Sequence, residues 1–166
     1  LTLPLLLAGG ALAAAAAAGA PAVEGRAKVE LELAGVLPLP EAPGGIVVLR
    51  EKGKDTFLPL LVPDARGFAG ASGGGLLERA ILALGGRVSE VEIRQVEESS
   101  GGARVRLTQA GKALELQAVP SESIALALSA GVPIVARRRL LDEEGLTPRD
   151  ISRMPRREGA RRETRL

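Results

Sequence analysis

Alternating apolar and polar side chains, repeated in several short runs, limit what this chain can fold into more than any other feature. In AKVELEL (residues 27–33) the valine and both leucines fall on one face and the charged residues on the other, as in a strand that buries one side. ARVRLTQ (103–109) and KALELQAV (112–119) alternate in the same way across an Ala-Gly pair, which predicts a hairpin. The fold must therefore contain a sheet with one buried face.

A second hairpin is predicted closer to the N-terminus. IVVLRE (46–51) and TFLPLLV (56–62) are apolar runs on either side of a plausible turn at residues 53–55. Pro59 lacks a backbone N–H, so its position within the second run predicts a strand at the edge of the sheet or one with a bulge.

Three stretches predict helices between or after the strands. Residues 76–84 carry apolar side chains at helical spacing, and residues 137–146 read as a further helix. Residues 122–130 follow Ser121, a natural N-cap, and stop at Gly131. The order is three strands, a helix, three strands, a helix, a strand and a helix (β3-α-β3-α-β-α). It predicts the α+β class, as a single domain of mostly antiparallel strands with short helices.

Composition divides the chain into three regions. Residues 1–22 are uncharged and rich in Leu and Ala, which predicts a signal peptide or an N-terminal anchor, and hence export as a periplasmic, secreted or membrane-anchored protein. Ala20-Pro21-Ala22 fits a small-residue cleavage site that would leave Val23 at the mature N-terminus. The α+β domain is expected over residues 23–146, and a disordered Arg-rich tail over residues 147–166.

The residue types that are missing exclude several classes of site. The chain has no His and no Cys, which excludes disulfides, thiol nucleophiles, zinc–thiolate sites and the commonest general base at neutral pH. It has two Phe and no Tyr or Trp, so stacking of bases on aromatic platforms is nearly excluded. Any chemistry must use carboxylates, hydroxyls, Lys, Arg or backbone groups.

The C-terminal third of the domain resembles the bifunctional nuclease domain family. The resemblance rests on PSESIALAL (120–128), then GVPI (131–134), then DEEGL (142–146). The strand–turn–strand of residues 47–62 and the helix and strand of residues 78–93 also resemble that family, so the likeness covers about residues 27–146. It implies an α+β domain that acts on both DNA and RNA.

The chain departs from that family in one region. Family members usually have a longer helix and a loop with a Thr-His-Asp-like entry to the next helix. Here that region is shortened to DARGFAGASGGGLLERA (64–80), which has no His and three consecutive glycines. If the missing elements form part of a nucleolytic site, this chain has lost them.

Three carboxylates are candidates for catalysis and metal binding in a nuclease without histidine. Asp64, Glu78 and Glu122 each lie at or near the start of a predicted helix and close to a strand end. Oxygen ligands suit Mg²⁺ or Mn²⁺, which could activate water for attack on a phosphodiester while arginine stabilises the developing charge. The alternative is ordinary capping, since acidic residues are common in first helical turns.

Arginines are the candidates for nucleic-acid binding. Arg137, Arg138 and Arg139 open the last predicted helix, and seven more Arg lie in residues 149–166 against three acidic residues. Such a set predicts sequence-independent contacts with the phosphates of DNA or RNA. The alternative is a solvated tail, or one attracted to an anionic membrane surface.

Two functions remain open at this point. One is a metal-assisted nuclease that hydrolyses DNA and RNA phosphodiesters, as the family resemblance implies. The other is a catalytically inactive, exported member that serves as a binding module for nucleic acid, a membrane surface or another protein.

Overall fold

The computed structural model describes residues 27–40, 43–65, 68 and 75–153. Within them the chain forms seven strands and four helices. In chain order these are β1 (Lys28–Pro38), β2 (Gly45–Glu51), β3 (Phe57–Val62), α1 (Leu76–Ala83), β4 (Gly86–Ile93), β5 (Ala103–Gln109), β6 (Lys112–Ala118), α2 (Pro120–Ala130), β7 (Ile134–Arg137), α3 (Arg138–Glu144) and α4 (Pro148–Arg153).

All seven strands belong to one sheet with the order β3-β2-β1-β7-β4-β5-β6. Every neighbouring pair is antiparallel except β4 and β7, which are parallel. Strand β7 follows α2 and enters the sheet between β1 and β4, so it joins the two halves of the sheet. The predicted α+β class with mostly antiparallel strands is confirmed.

The two predicted hairpins are present. Ala110 and Gly111 connect β5 to β6 with φ values of 48° and 75°, as in the two-residue type I′ turn that matches the twist of a hairpin. Strand β3 pairs only with β2 in the sheet order, so Pro59 lies on an edge strand, as its missing N–H predicts.

The alternating pattern places an apolar core on one face of the sheet. Val91, Ile93 and Val105 of the central strands belong to the same buried cluster as Ile124 and Ala127 of α2. The charged residues of the same strands point to the opposite face, where they pair across strands. Arg106, for example, contacts Glu90 at 3.0 Å and Glu115 at 2.9 Å.

Helix α2 starts earlier than predicted, and Ser121 is not its N-cap. The helix begins at Pro120 with Val119 as N-cap, because the fixed φ of proline suits the first helical position. The backbone N–H of Ser121 instead donates to the carboxylate of Glu98 at 3.1 and 3.2 Å, and its hydroxyl also contacts Glu98. The predicted end is confirmed, since Gly131 adopts a left-handed conformation with φ 65°.

The start of the predicted tail (residues 147–166) is helical. Pro148–Arg153 form α4, whose first turn is held by Thr147 and Asp150. The Thr147 N–H donates to the Asp150 carboxylate at 2.9 Å, and the Asp150 N–H donates to the Thr147 hydroxyl at 3.4 Å, which is the reciprocal capping that stabilises short helices. The predicted signal peptide or anchor (1–22) and the tail after residue 153 lie outside the described residues. None of the helices that are described is long and apolar enough to cross a membrane.

Candidate functional site

A cleft of about 380 Å³ opens where the parallel strands β4 and β7 end. Its walls come from the segment after β4 and from α3, which starts directly after β7. In sheets with parallel strands, ligands commonly bind in the crevice beyond the carboxyl ends of those strands. The charged residues that line the cleft are Arg94, Glu97, Arg137, Arg139, Glu143 and Glu144.

Arg137 is anchored by a buried carboxylate but remains accessible. Its Nε donates to Oε1 of Glu92 at 3.1 Å. Glu92 is 1% exposed, whereas the side chain of Arg137 is 52% exposed. Arg106 approaches the other oxygen of Glu92 to 4.0 Å, and this oxygen has no hydrogen-bond partner among the described residues. Arg137 therefore presents a fixed guanidinium to the cleft.

Arg139 lines the same cleft from the first turn of α3. Its Nε donates to Glu143 at 2.7 Å, one turn along the helix, and the arginine side chain is 75% exposed. An exposed pair at this spacing contributes little to stability, so Arg139 can exchange Glu143 for another anion at small cost.

Arg138 has a different role from its two neighbours. Its guanidinium donates to both oxygens of Glu51, at 2.8 and 2.6 Å, and Glu51 is 3% exposed. This bidentate hydrogen bond, opposed by burial and assisted by Lys54, lowers the pKa of Glu51 to about 2. The same bond raises the pKa of Arg138. Arg138 therefore attaches α3 to the end of β2 and does not line the cleft, so the prediction that all three arginines bind nucleic acid is not supported for this one.

Sequence reasoning did not select Arg94. It follows β4 directly, and its exposed side chain lies in the cleft with Arg137 because β4 and β7 are neighbours. Strand β7 pairs with β4 only after the chain has crossed over through α2, and local sequence patterns do not predict this pairing. The sequence feature that points to Arg94 is its place directly after a predicted strand, since ligands commonly bind beyond the carboxyl ends of parallel strands.

The three predicted carboxylates are not brought together. Among the described residues, no group of three or more acidic side chains is placed to hold a metal ion. Glu78, in the first turn of α1, accepts a hydrogen bond from the Ser129 hydroxyl at 2.6 Å. Asp64 follows β3, and Glu122 is exposed in the first turn of α2. The described residues therefore give no geometric support for a shared Mg²⁺ or Mn²⁺ ion, and metal binding by these three carboxylates stays a prediction.

Glu78 and Ser129 have a structural role that the sequence did not reveal. Ser129 also accepts a hydrogen bond from the N–H of Gly75 at 2.7 Å, directly before α1. The serine thus satisfies a free donor at the start of α1 and connects this helix to α2.

The family model described as the bifunctional nuclease domain matches residues 72–149. The match runs from just before α1 to the start of α4, so it includes both walls of the cleft and all three of its arginines. It confirms the resemblance over those residues, and the family's description supports a nuclease-like, nucleic-acid-binding function. No curated protein matches the chain.

Proposed function

We propose that this chain, which carries a bifunctional nuclease domain match over α1 to the start of α4, binds the sugar–phosphate backbone of DNA or RNA in the cleft beyond β4 and β7. The observation that carries this proposal is Arg137, which is fixed by the buried Glu92 and still half exposed beside Arg94 and Arg139.

The physical argument is that guanidinium groups match the geometry of phosphate oxygens. An arginine that is already anchored loses little conformational entropy when it binds. Three cleft arginines can pair with about three phosphates, so the logarithm of the affinity should fall with the logarithm of the salt concentration with a slope of about −2 for single strands.

The cleft also limits how strong and how selective the binding is. Glu97, Glu143 and Glu144 balance the charge of the three arginines, so attraction at long range is weak and the contacts act at close range. No aromatic side chain lines the cleft, and stacking is the usual source of base contacts on single strands. We therefore expect modest, sequence-independent affinity.

Single strands should bind better than duplexes. A cleft of about 380 Å³ is at the small end of the range for ligand pockets, about 300–1,000 Å³. It can receive one nucleotide unit of a flexible strand, while the exposed Arg137 and Arg139 reach the phosphates on either side of that unit. A rigid duplex presents its phosphates on a wide cylinder that cannot enter.

Phosphodiester hydrolysis is the second candidate function, and the family match is the observation that favours it. Asp64, Glu78 and Glu122 do not form one cluster, so their joint use of Mg²⁺ or Mn²⁺ has no support from geometry. The carboxylates next to the cleft arginines are better placed as general bases in a chain without histidine.

Charge-matched triple variants test the proposal. Labelled single-stranded DNA and RNA are titrated with the full chain and binding is followed by fluorescence anisotropy. The cleft variant replaces Arg94, Arg137 and Arg139 with Ala, and the control replaces the exposed Arg79, Arg87 and Arg153. Loss of binding in the cleft variant alone supports the proposal, and equal loss in both variants contradicts it.

The same samples decide between binding and cleavage. Oligonucleotide length is followed on gels with Mg²⁺, with Mn²⁺ and with EDTA. Degradation that the cleft variant lacks assigns hydrolysis to this site. Degradation that only Glu122→Ala removes would favour a site that includes Glu122. Intact oligonucleotides with normal binding identify a binding module without nuclease activity.

A further inference from the structure

The two edge strands of the sheet, β3 and β6, differ in how accessible their backbones are to another strand. Edge strand β3 contains Pro59, and Phe57 exchanges backbone hydrogen bonds of 2.8 and 2.7 Å with Leu146. Both features prevent another strand from pairing there. Edge strand β6 contains no proline, and within the described residues it pairs only with β5. An uncovered, proline-free edge is a template for pairing with another strand.

Exposed leucines surround this open edge. Leu114 and Leu116 of β6 point to the core side of the sheet, because they pair with the buried Leu107 and Val105, yet no described helix covers them. Helix α1, which contacts β4, has no buried residue. Leu84, just after α1, and Leu114 line one groove. Leu84, Leu114 and Leu116 are 73%, 40% and 52% exposed.

The turn before β6 fixes which backbone groups face outward. In a two-residue hairpin the residues next to the turn, Gln109 and Lys112, form the hydrogen-bonded pair. Alternation along β6 then directs the N–H and C=O groups of Ala113, Glu115 and Gln117 away from β5. These three residues form no other backbone hydrogen bond with a described residue, so they can pair with a new strand without disturbing the sheet.

We propose that β6 pairs antiparallel with β6 of a second copy of this chain, so that two sheets join across a two-fold axis. The register that pairs all seven residues of Lys112–Ala118 is centred on Glu115. It forms about six backbone hydrogen bonds and places Leu114 opposite Leu116 of the second copy. Leu84, which lines a groove with Leu114, extends the contact on the core side in each copy.

The charges at the centre of this contact are compensated. Directly opposed like charges destabilise a strand pair, and this register opposes the two copies of Glu115. Each Glu115, however, is bound by its own Arg106 at 2.9 Å and Arg104 at 3.1 Å, so two carboxylates meet among four guanidinium groups. A standard interface buries about 800 Å² on each partner, and the exposed Leu84, Leu114 and Leu116 supply apolar surface to this contact.

Engineered cysteines test the register, because the chain has none of its own. In the proposed dimer Ala113 faces Gln117 of the second copy, at a Cα separation of about 5.5 Å that suits a disulfide. We expect an oxidised mixture of Ala113→Cys and Gln117→Cys chains to form disulfide-linked dimers, while neither variant does so alone. No cross-link in the mixture, or equal cross-linking in each single variant, overturns the proposed pairing.

Two leucine variants test the surface independently. Light scattering with size exclusion should give the full chain about twice its monomer mass of 17.1 kDa. Leu116→Lys should return it to the monomer mass. The control Leu61→Lys changes a leucine on the other edge strand that is 63% exposed, against 52% for Leu116, and should leave the dimer intact. A wild-type monomer at concentrations up to about 100 µM, or dissociation by Leu61→Lys but not by Leu116→Lys, contradicts the proposal.

Discussion

Arg137 on β7 donates a hydrogen bond of 3.1 Å to Glu92 on β4, and so connects the two parallel strands whose ends form the cleft. The carboxylate is buried while the guanidinium remains half exposed. The buried Glu92 thus holds the pair in place, and the exposed Arg137 is the member that a ligand can reach.

Glu92→Ala should destabilise the fold. The change leaves Arg137 and Arg106 without their buried partner, and the loss of a hydrogen-bonded buried charge costs about 1–3 kcal/mol. Urea unfolding followed by circular dichroism measures the free energy of unfolding. Glu32→Ala is the matched control, because Glu32 pairs with Arg50 on the exposed part of the same face, and it should change that free energy little. Equal effects of the two variants would show that the burial of Glu92 is unimportant.

The Glu51–Arg138 pair should make stability depend on pH in the acidic range. The pKa of Glu51 is lowered from 4.5 to about 2, so its contribution is complete above about pH 4.5 and is lost as the pH falls towards 2. A shift of this size corresponds to about 3 kcal/mol. Arg138→Ala should lower the free energy of unfolding at pH 7 by a similar amount and flatten its dependence between pH 4.5 and 2.

Arg139→Ala provides the control for that prediction. Arg139 is next in sequence and pairs with Glu143 on the surface, so its loss should leave both the stability at pH 7 and the acid dependence nearly unchanged. Equally steep pH profiles for wild type and Arg138→Ala would be inconsistent with the assignment of Glu51 as the titrating group.

Glu98→Ala should destabilise the start of α2. Glu98 accepts hydrogen bonds from the Ser121 backbone N–H, and the loss of such a cap costs about 1 kcal/mol. Ser121→Ala keeps the backbone donor and should cost less. Urea unfolding of the two variants ranks them, and a larger loss for Ser121→Ala would assign the capping to its hydroxyl instead.

Export is predicted from the uncharged segment at residues 1–22. Expression of the full chain in a bacterial host, followed by fractionation and mass spectrometry, should give a mature protein that starts at Val23. A membrane-bound chain with Leu1 intact would support an anchor. An intact chain in the soluble cytoplasmic fraction would refute export.

Local patterns in the sequence predicted the hairpins, the edge position of Pro59 and the order of the elements as far as α3. The turn residues and alternating side chains that specify them are close together in the chain. The cleft depends on contacts that are distant in sequence, because β7 reaches β4 only after β5, β6 and α2. For this reason Arg94 was not selected as a site residue.

The three consecutive arginines are a second case in which the local sequence does not predict the contacts that the side chains make. Arg137, Arg138 and Arg139 look equivalent in the sequence, but the change from strand to helix between the first two points their side chains to different partners. Similarly, Ser121 has the sequence context of an N-cap, but Pro120 starts the helix and the distant Glu98 supplies the cap. Such assignments require the tertiary structure.

The salt dependence of oligonucleotide binding by Arg137→Ala tests the central claim most directly. Affinity for labelled single-stranded DNA is measured by anisotropy between about 50 and 200 mM salt for wild type, Arg137→Ala and the exposed-surface control Arg87→Ala. We predict that Arg137→Ala weakens binding about tenfold, or about 1.4 kcal/mol, and reduces the salt slope by about 0.7, while Arg87→Ala changes neither. An unchanged slope for Arg137→Ala, or the same loss of affinity in both variants, would contradict phosphate binding in the cleft.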